Sequence, residues 1–577
     1  MRHNRRLATP LHHAIVIAVV VLAAALVLPR ASLAQTANSA DQLILWTGCS
    51  EFVQLTDAEL DAWKSRGADG IACQMRHLRE MGGTQDFTGD PQAGLAGSNY
   101  DLERQMRATN IVGRMRARGM KAYLAIYLVN YWNTATPLKD WFDDGGWSTV
   151  VLPKMAGVAA AAHTLGFAGL AFDQELYPQA GNVRTATWNW NYPGNTHSEA
   201  AVRAEARLRG QQLMSTLTAS FPGIELMAYD VRMPETWGEF VEEKVNRKKS
   251  ANVPRLDADF WDGLAGVPGY GAIRWMDASF YKGTDVGSWE PAFQYHYNKL
   301  FSYLSRRFSS WAYAAPRLYV SPFAWIDHGT CNCGYQAART PAYVATQLAE
   351  FRKWGMGGEF ADYAYAGLRG FDYTPYLPAM RAASTPGVVD SSPPTVAINA
   401  PRASAAPVAT LALDGTTADN LAVRFVRWQN DRGGSGMAQL VWDVLGGDYN
   451  SGYSWRTRWS ASIPVAAGQN RITVTAEDIK GLDTTQVVTF ANGPVAAAAA
   501  APATALQPRT TARRSAEPRC RRAGGTAASR RTCKEARRHA KARRNAKARR
   551  HAKAPKRHRQ RRTHARPSRA SHRSERA

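Results

Sequence analysis

The chain has 577 residues, more than one ordinary domain holds and enough for two or three. Its formal net charge of +25 is uneven: residues 509–577 carry 27 Lys or Arg against three acids, so everything before them is close to neutral. The part able to fold therefore gives no reason to expect a specific nucleic-acid partner.

The first 34 residues have the layout of a signal peptide. Arg2, Arg5 and Arg6 precede an unbroken apolar run from Ala14 to Leu28, and Ser32-Leu33-Ala34 offers small residues for cleavage. The run is shorter than the roughly 20 residues a spanning helix needs. A secreted or surface-associated protein is the expectation. Export makes disulfides possible among Cys49, Cys73, Cys331 and Cys333. Those four allow three pairings, and free thiols remain an alternative. His328-x-x-Cys331-x-Cys333 supplies only three ligands at a spacing unlike common zinc sites, so no metal and no cofactor are expected.

From residue 41 to 385, apolar strand-like runs alternate with helix-like ones. The strands are expected at Leu43–Gly48, Gly70–Met75, Ala122–Val129, Gly169–Phe172, Ile224–Tyr229, Ile273–Phe280, Arg317–Ala324 and Gly358–Tyr363. Most lack strict alternation, as strands buried on both faces do. Helices are expected after the capping-box pattern Thr56-x-x-Glu59, from Asp101 to Gly119, and from Glu199 to about Phe221. Eight strand–helix units in this length predict a (β/α)8 TIM barrel, an α/β fold. A doubly wound open sheet fits less well, because no glycine-rich phosphate loop follows a strand.

Residues 393–491 show seven further strand-like runs separated by Gly, Asp and Asn turns, which suggests an all-β sandwich able to fold independently. Ala418-Asp419-Asn420 and Ile472 to Asp478 resemble the immunoglobulin-like modules attached to bacterial secreted enzymes. Residues 496–577 are low-complexity. Three copies of Arg-Arg-His/Asn-Ala-Lys-Ala run from Arg537 to Ala554, with too few large apolar residues for a core. A disordered basic tail attracted to anionic cell-envelope polymers is the expectation; any nucleic-acid binding would lack sequence specificity.

A barrel builds its active site at the C-terminal strand ends. The fourth strand ends Phe172-Asp173-Gln174-Glu175, and alternation points Asp173 and Glu175 to one side. Two carboxylates this close raise one pKa, which suits a general acid. Asp277 in the sixth strand is the alternative partner of Glu175, giving a two-carboxylate glycosidase. Fourteen of the eighteen Trp fall in the barrel region, and sugar rings stack on flat aromatic faces. The candidate substrate-binding residues at strand ends and in the loops beyond are Trp46, Tyr127, Tyr131, Trp188, Trp190, Asp230, Trp325, Asp327 and Asp362.

The stretch Phe167 to Glu175 resembles the D-G-x-D-x-D-x-E strand of the chitinase and endo-N-acetylglucosaminidase family of glycoside hydrolases. Gly169, Asp173 and Glu175 match; Ala168 and Ala171 stand where that family has Asp. Met227-Ala228-Tyr229-Asp230 resembles its M-x-Y-D strand, although on the fifth strand rather than the sixth. The resemblance implies that Glu175 protonates the glycosidic oxygen. It implies too that Asp173 orients the substrate's N-acetyl group, whose oxygen attacks the anomeric carbon, and that Tyr229 steadies the cyclised intermediate. The expected activity is hydrolysis of an extracellular polysaccharide or glycoconjugate by a monomer. The contrasting expectation is a non-catalytic glycan- or wall-binding protein on a degenerate barrel, to which the two missing Asp lend weight.

Overall fold

The computed structural model describes residues 42–75, 102–127, 140–173, 188–229, 231, 255–277, 289–322, 340–354, 359–361, 368, 374–378, 390–399, 403–404, 406–448 and 452–493. In the first part of the chain strands and helices alternate. The strands are β1 (Ile44–Gly48), β2 (Gly70–Gln74), β3 (Lys121–Tyr127), β4 (Gly169–Asp173), β5 (Glu225–Tyr229), β6 (Ala272–Asp277), β7 (Leu318–Pro322) and β8 (Glu359–Ala361). Each expected strand is present within a few residues of its predicted ends. The main helices between them are α1 (Asp57–Ser65), α2 (Leu102–Thr109), α3 (Ile111–Ala117), α4 (Leu152–Leu165), α5 (Glu199–Ser220), α6 (Asp257–Ala265), α7 (Trp289–Arg307) and α8 (Pro341–Lys353).

Local chemistry sets the helix ends. Thr56 accepts from the Glu59 amide at 3.3 Å, while the Glu59 carboxylate accepts from the Thr56 amide at 2.7 Å, the capping box expected from sequence. Gly166, at φ 85°, closes α4 in the left-handed conformation. One expected helix over 101–119 is two, because Asn110 takes φ 47° and breaks the ladder between α2 and α3.

All the strand pairings in this sheet are parallel, in the order β7-β6-β5-β4-β3-β2-β1-β8. The sheet is strongly curled. β1 and β5 lie four strand spacings apart, about 19 Å in a flat sheet, yet the rings of Trp46 and Tyr229 sit 6.1 Å centroid to centroid. Ile44, Trp46, Ala72, Tyr123, Ala171 and Met227 form a lumen cluster with Tyr229, separate from the larger core between strands and helices. Layered side chains inside and helices outside make this an α/β barrel. Among the described residues, no ladder joins β7 to β8.

Cys49 and Cys73 form a disulfide between the end of β1 and β2, settling one of the pairings left open by sequence; Cys331 and Cys333 lie outside the described residues.

The second module is a pair of sheets. One runs β14 (Gln439–Asp448), β15 (Gly452–Pro464), β11 (Thr410–Ala418), β9 (Thr395–Ile398). The other runs β10 (Ala403–Ser404), β17 (Asp483–Asn492), β16 (Gly468–Asp478), β12 (Val423–Asn430), β13 (Ser435–Met437). Pairing is antiparallel except between β10 and β17. The module packs on the barrel. Helix α7 turns Phe293, Tyr297 and Leu304 to the barrel core and a polar stripe of Gln294, Asn298, Ser302 and Ser305 to the sandwich. Ser302 Oγ donates to the Leu440 carbonyl at 3.0 Å, and Ser305 Oγ accepts from the Leu440 amide at 2.8 Å. β14 is an edge strand, and these serines occupy its open side.

Candidate active site

Parallel strands bring their C-terminal ends to one rim. There Asp173, the last residue of β4, is in register with Tyr127 of β3 and Tyr229 of β5. Gly48 pairs with Gln74 on the same rim. Trp46 Nε1 donates to Gln74 Oε1 at 3.1 Å, which fixes the indole against Tyr229. Trp46 is 4% exposed and Tyr229 6%, so both rings close off the lumen below the rim. Ala171, fully buried, lies between these rings and the strand start. Thus the position that carries Asp in the resembling family contributes only a methyl to the lumen.

Just after β1, the Glu51 carboxylate accepts from Thr47 Oγ1 of that strand and, at 2.9 Å, from the amide of Leu368 beyond β8.

The other proposed residues fall unevenly. Tyr127, Asp173 and Asp277 are described in backbone only. Asp277 ends β6 in register with Pro322, with the parity of Ile273 and Trp275, which pack on the helix layer, rather than of Arg274. Glu175, Tyr131, Asp230, Trp325, Asp327 and Asp362 lie outside the described residues.

Trp188 is corrected. It is fully buried, edge-on to Trp141 at 5.2 Å and to Phe260 at 5.3 Å, and its carbonyl accepts from the Leu256 amide at 2.9 Å. Such a ring has no face left for a sugar. The intervening Asn189 and Asn191 make the segment look polar, but Asn189 bridges to Arg255 while Trp188 turns inward. Trp190 is half-buried against the same core. Trp141 and Trp147, which precede α4, are stacked at 6.0 Å and buried under Arg209, whose guanidinium lies 5.3 Å from the Trp147 ring.

Missed from sequence is a polar cluster at the opposite end of the lumen. Glu225, which opens β5, accepts from Lys121 Nζ at 2.8 and 3.0 Å and from Tyr123 OH at 2.6 Å, with Arg274 Nε at 3.5 Å. Gly169 stands between β3 and β5 in this layer, and a Cβ there would collide with the Glu225 backbone. Burial alone would raise the Glu225 pKa, but the charges of Arg274 and Lys121 and the hydrogen bonds from Lys121 and Tyr123 outweigh it and hold it below the ordinary value. Tyr123 is pushed well up, first by burial and then by the Glu225 charge, so it stays a donor. The stack continues outward: the Arg274 guanidinium lies 5.3 Å from the Tyr319 ring, and that of Arg424, from the sandwich, lies 4.7 Å from it. Arg424 also donates to the Ala315 carbonyl at 3.0 Å and pairs with Glu477 at 3.4 Å. The sign of this cluster in the sequence is a charged residue at the start of β3 and of β5 and within β6, in otherwise mostly apolar strands. Its position at the N-terminal face marks it as a structural plug rather than a reaction site.

No protein-family model and no curated protein matches the sequence. Among solved structures the chain is similar to a GH18 chitinase from Pseudoalteromonas aurantia, at 9% identity and TM-score 0.31 over 59% of this chain and 99% of that one. It is also similar to a beta-1,4-D-mannanase from Cryptopygus antarcticus, at 8% and 0.32 over 59% and 88%. A third is an endocellulase from Pyrococcus horikoshii, at 11% and 0.34 over 60% and 92%. Strand order and register, not these likenesses, define the barrel.

Proposed function

We propose that the chain is a secreted glycoside hydrolase whose general acid is Glu175, assisted by Asp173 and Tyr229. The observation that carries this is the register of Asp173 with Tyr229 at the C-terminal rim, above an aromatic floor made by Trp46 and Tyr229. A carboxylate on that rim meets a sugar seated on those rings from the side where barrel enzymes do their chemistry. Substrate-assisted attack through an N-acetyl group then needs no enzyme nucleophile. Glu175→Gln should lower kcat on labelled chitin-type or related glycans by about 10²–10⁴-fold with the fold intact. Turnover near wild type would exclude the role.

The second reading, a glycan-binding protein without turnover, draws on Ala171. With a methyl where the family has a carboxylate, the acid lacks a tuning partner. Glycan binding by wild type and Glu175→Gln alike, with turnover by neither, would favour it.

We propose further that a cleaved leader exports the chain, that the sandwich is an immunoglobulin-like module, and that the basic tail holds the protein at anionic envelope polymers. Deleting residues 509–577 should move the protein from the cell fraction to the medium, and high salt should release the intact form. Equal partition of both forms at low salt would refute the anchor.

A further inference from the structure

We propose that Asp390, Asp419 and Asp478 form a calcium site at the junction of the barrel with the sandwich. One carboxylate oxygen from each lies within 4.8 Å of the others. Oxygens bound about 2.3–2.6 Å from a shared Ca²⁺ are at most about 5 Å apart, so one ion can reach all three.

On every one of the three, Oδ1 is already engaged. Asp390 Oδ1 accepts from the Ser392 amide at 3.0 Å and from Asn420 Nδ2 at 3.3 Å. Asp419 Oδ1 accepts from the Leu421 amide at 2.8 Å. Asp478 Oδ1 accepts from the amides of Lys480 and Leu482 at 2.8 and 2.9 Å. The three Oδ2 atoms are buried and have no hydrogen-bond partner. Asp478 is the decisive member: it is fully buried, and its Oδ2 remains unpartnered beside two other carboxylates. No Lys or Arg among the described residues forms an ion pair with any of the three. An arrangement like this strongly disfavours the charged forms unless a cation is present.

An all-carboxylate donor set without His or Cys suits a hard cation over zinc. Three separated chain segments offer the loose geometry that Ca²⁺ accepts and Mg²⁺ tolerates poorly. Asp390 lies just before β9 on the connection from the barrel, Asp419 follows β11, and Asp478 ends β16. The carbonyls of Asn420 and Leu421, next to Asp419, accept from Gln294 and Asn298 of α7, each at 3.3 Å. A bound ion therefore fixes the connection, the sandwich and the turn that touches the barrel together. From sequence these stretches mark the sandwich fold only, with no metal expected.

Isothermal titration of chelator-stripped full-length protein with CaCl2 tests this, beside thermal unfolding with and without the ion. Wild type should take up Ca²⁺ with a Kd of about 10⁻⁴–10⁻³ M or tighter. At 100-fold over Kd, unfolding should shift up by about 5 °C or more. Asp419→Asn keeps the oxygen that accepts from Leu421, so its fold is preserved, and Asp478→Asn removes the buried charge. Both should weaken Ca²⁺ binding at least tenfold and abolish the thermal shift. Without Ca²⁺, Asp419→Asn should melt at or above wild type, because a repulsive charge is gone. Failure of wild type to bind at 10 mM, or a Ca²⁺ shift kept by both variants, would overturn the proposal. Equal affinity for Mg²⁺ would overturn the assignment to calcium.

Discussion

Replacing Glu225 by alanine should destabilise the barrel by about 3 kcal/mol. The change leaves Tyr123 OH, on a fully buried ring, without the acceptor at 2.6 Å, a loss of about 1–3 kcal/mol. It also leaves Arg274, 5% exposed, and Lys121 without their shared counter-ion. Breaking a buried pair costs about 3–5 kcal/mol, and the partial exposure of Glu225 and Lys121 places this case at the low end. Glu225→Gln keeps an acceptor but not the charge, so about 1–2 kcal/mol is expected. Urea unfolding followed by far-ultraviolet circular dichroism reads both. A cycle with Lys121→Met should return a coupling of about 1 kcal/mol or more. The pH profile adds an independent check. The folded pKa of Glu225 lies below its unfolded value, so its contribution is fully present above about pH 4.5. It fades as pH falls through the folded pKa. Wild type should therefore lose stability more steeply below pH 4.5 than Glu225→Gln. A loss under 1 kcal/mol for the alanine variant, with additive effects in the cycle, would refute the reasoning.

Two further outcomes follow from the packing. Trp188→Ala should lower stability by about 3–5 kcal/mol, as large-to-small changes in cores do, while leaving any glycan binding by the residual folded protein within a few-fold; a large loss of binding at unchanged stability would return Trp188 to the candidate substrate-binding residues. Ending the chain near Ser384 should lower the barrel's melting temperature and expose the apolar neighbours of α7 to dye, because Asn298, Ser302 and Ser305 are buried against the sandwich; an unchanged melting temperature would show that the contact is incidental.

The strands were legible because parallel strands buried on both faces are short apolar runs, and Gly70–Gln74 or Glu225–Tyr229 read that way without help. Thr56 and Glu59 gave the start of α1 for a similarly local reason. What sequence could not supply was partnership across space. The polar stripe of α7 reads as solvent-facing, yet a second module covers it. Trp188 looks like a loop residue because it sits in the run Trp188-Asn189-Trp190-Asn191, although its ring is turned into the core. Lys121, Glu225 and Arg274 are charges on separate strands, and only the curled sheet reveals that they answer one another. Asp390, Asp419 and Asp478 are spread over 89 residues, two outside strands and one at the end of β16. The rim itself was half legible: the fourth-strand carboxylate pattern marked where to look, and the loop carrying Glu175 lies outside the described residues.

The serines of α7 also bear on what the sandwich is as a unit of inheritance. A module carried between proteins must survive with whatever neighbour it is given. Here the Leu440 amide and carbonyl and the Trp442 amide of β14 are satisfied through Ser302 and Ser305 of another domain. Cut free and grafted elsewhere, it would present an unpaired strand edge, the surface on which chains add to one another and aggregate. On the barrel, that edge is covered by Ser302 and Ser305 at Leu440 and Trp442.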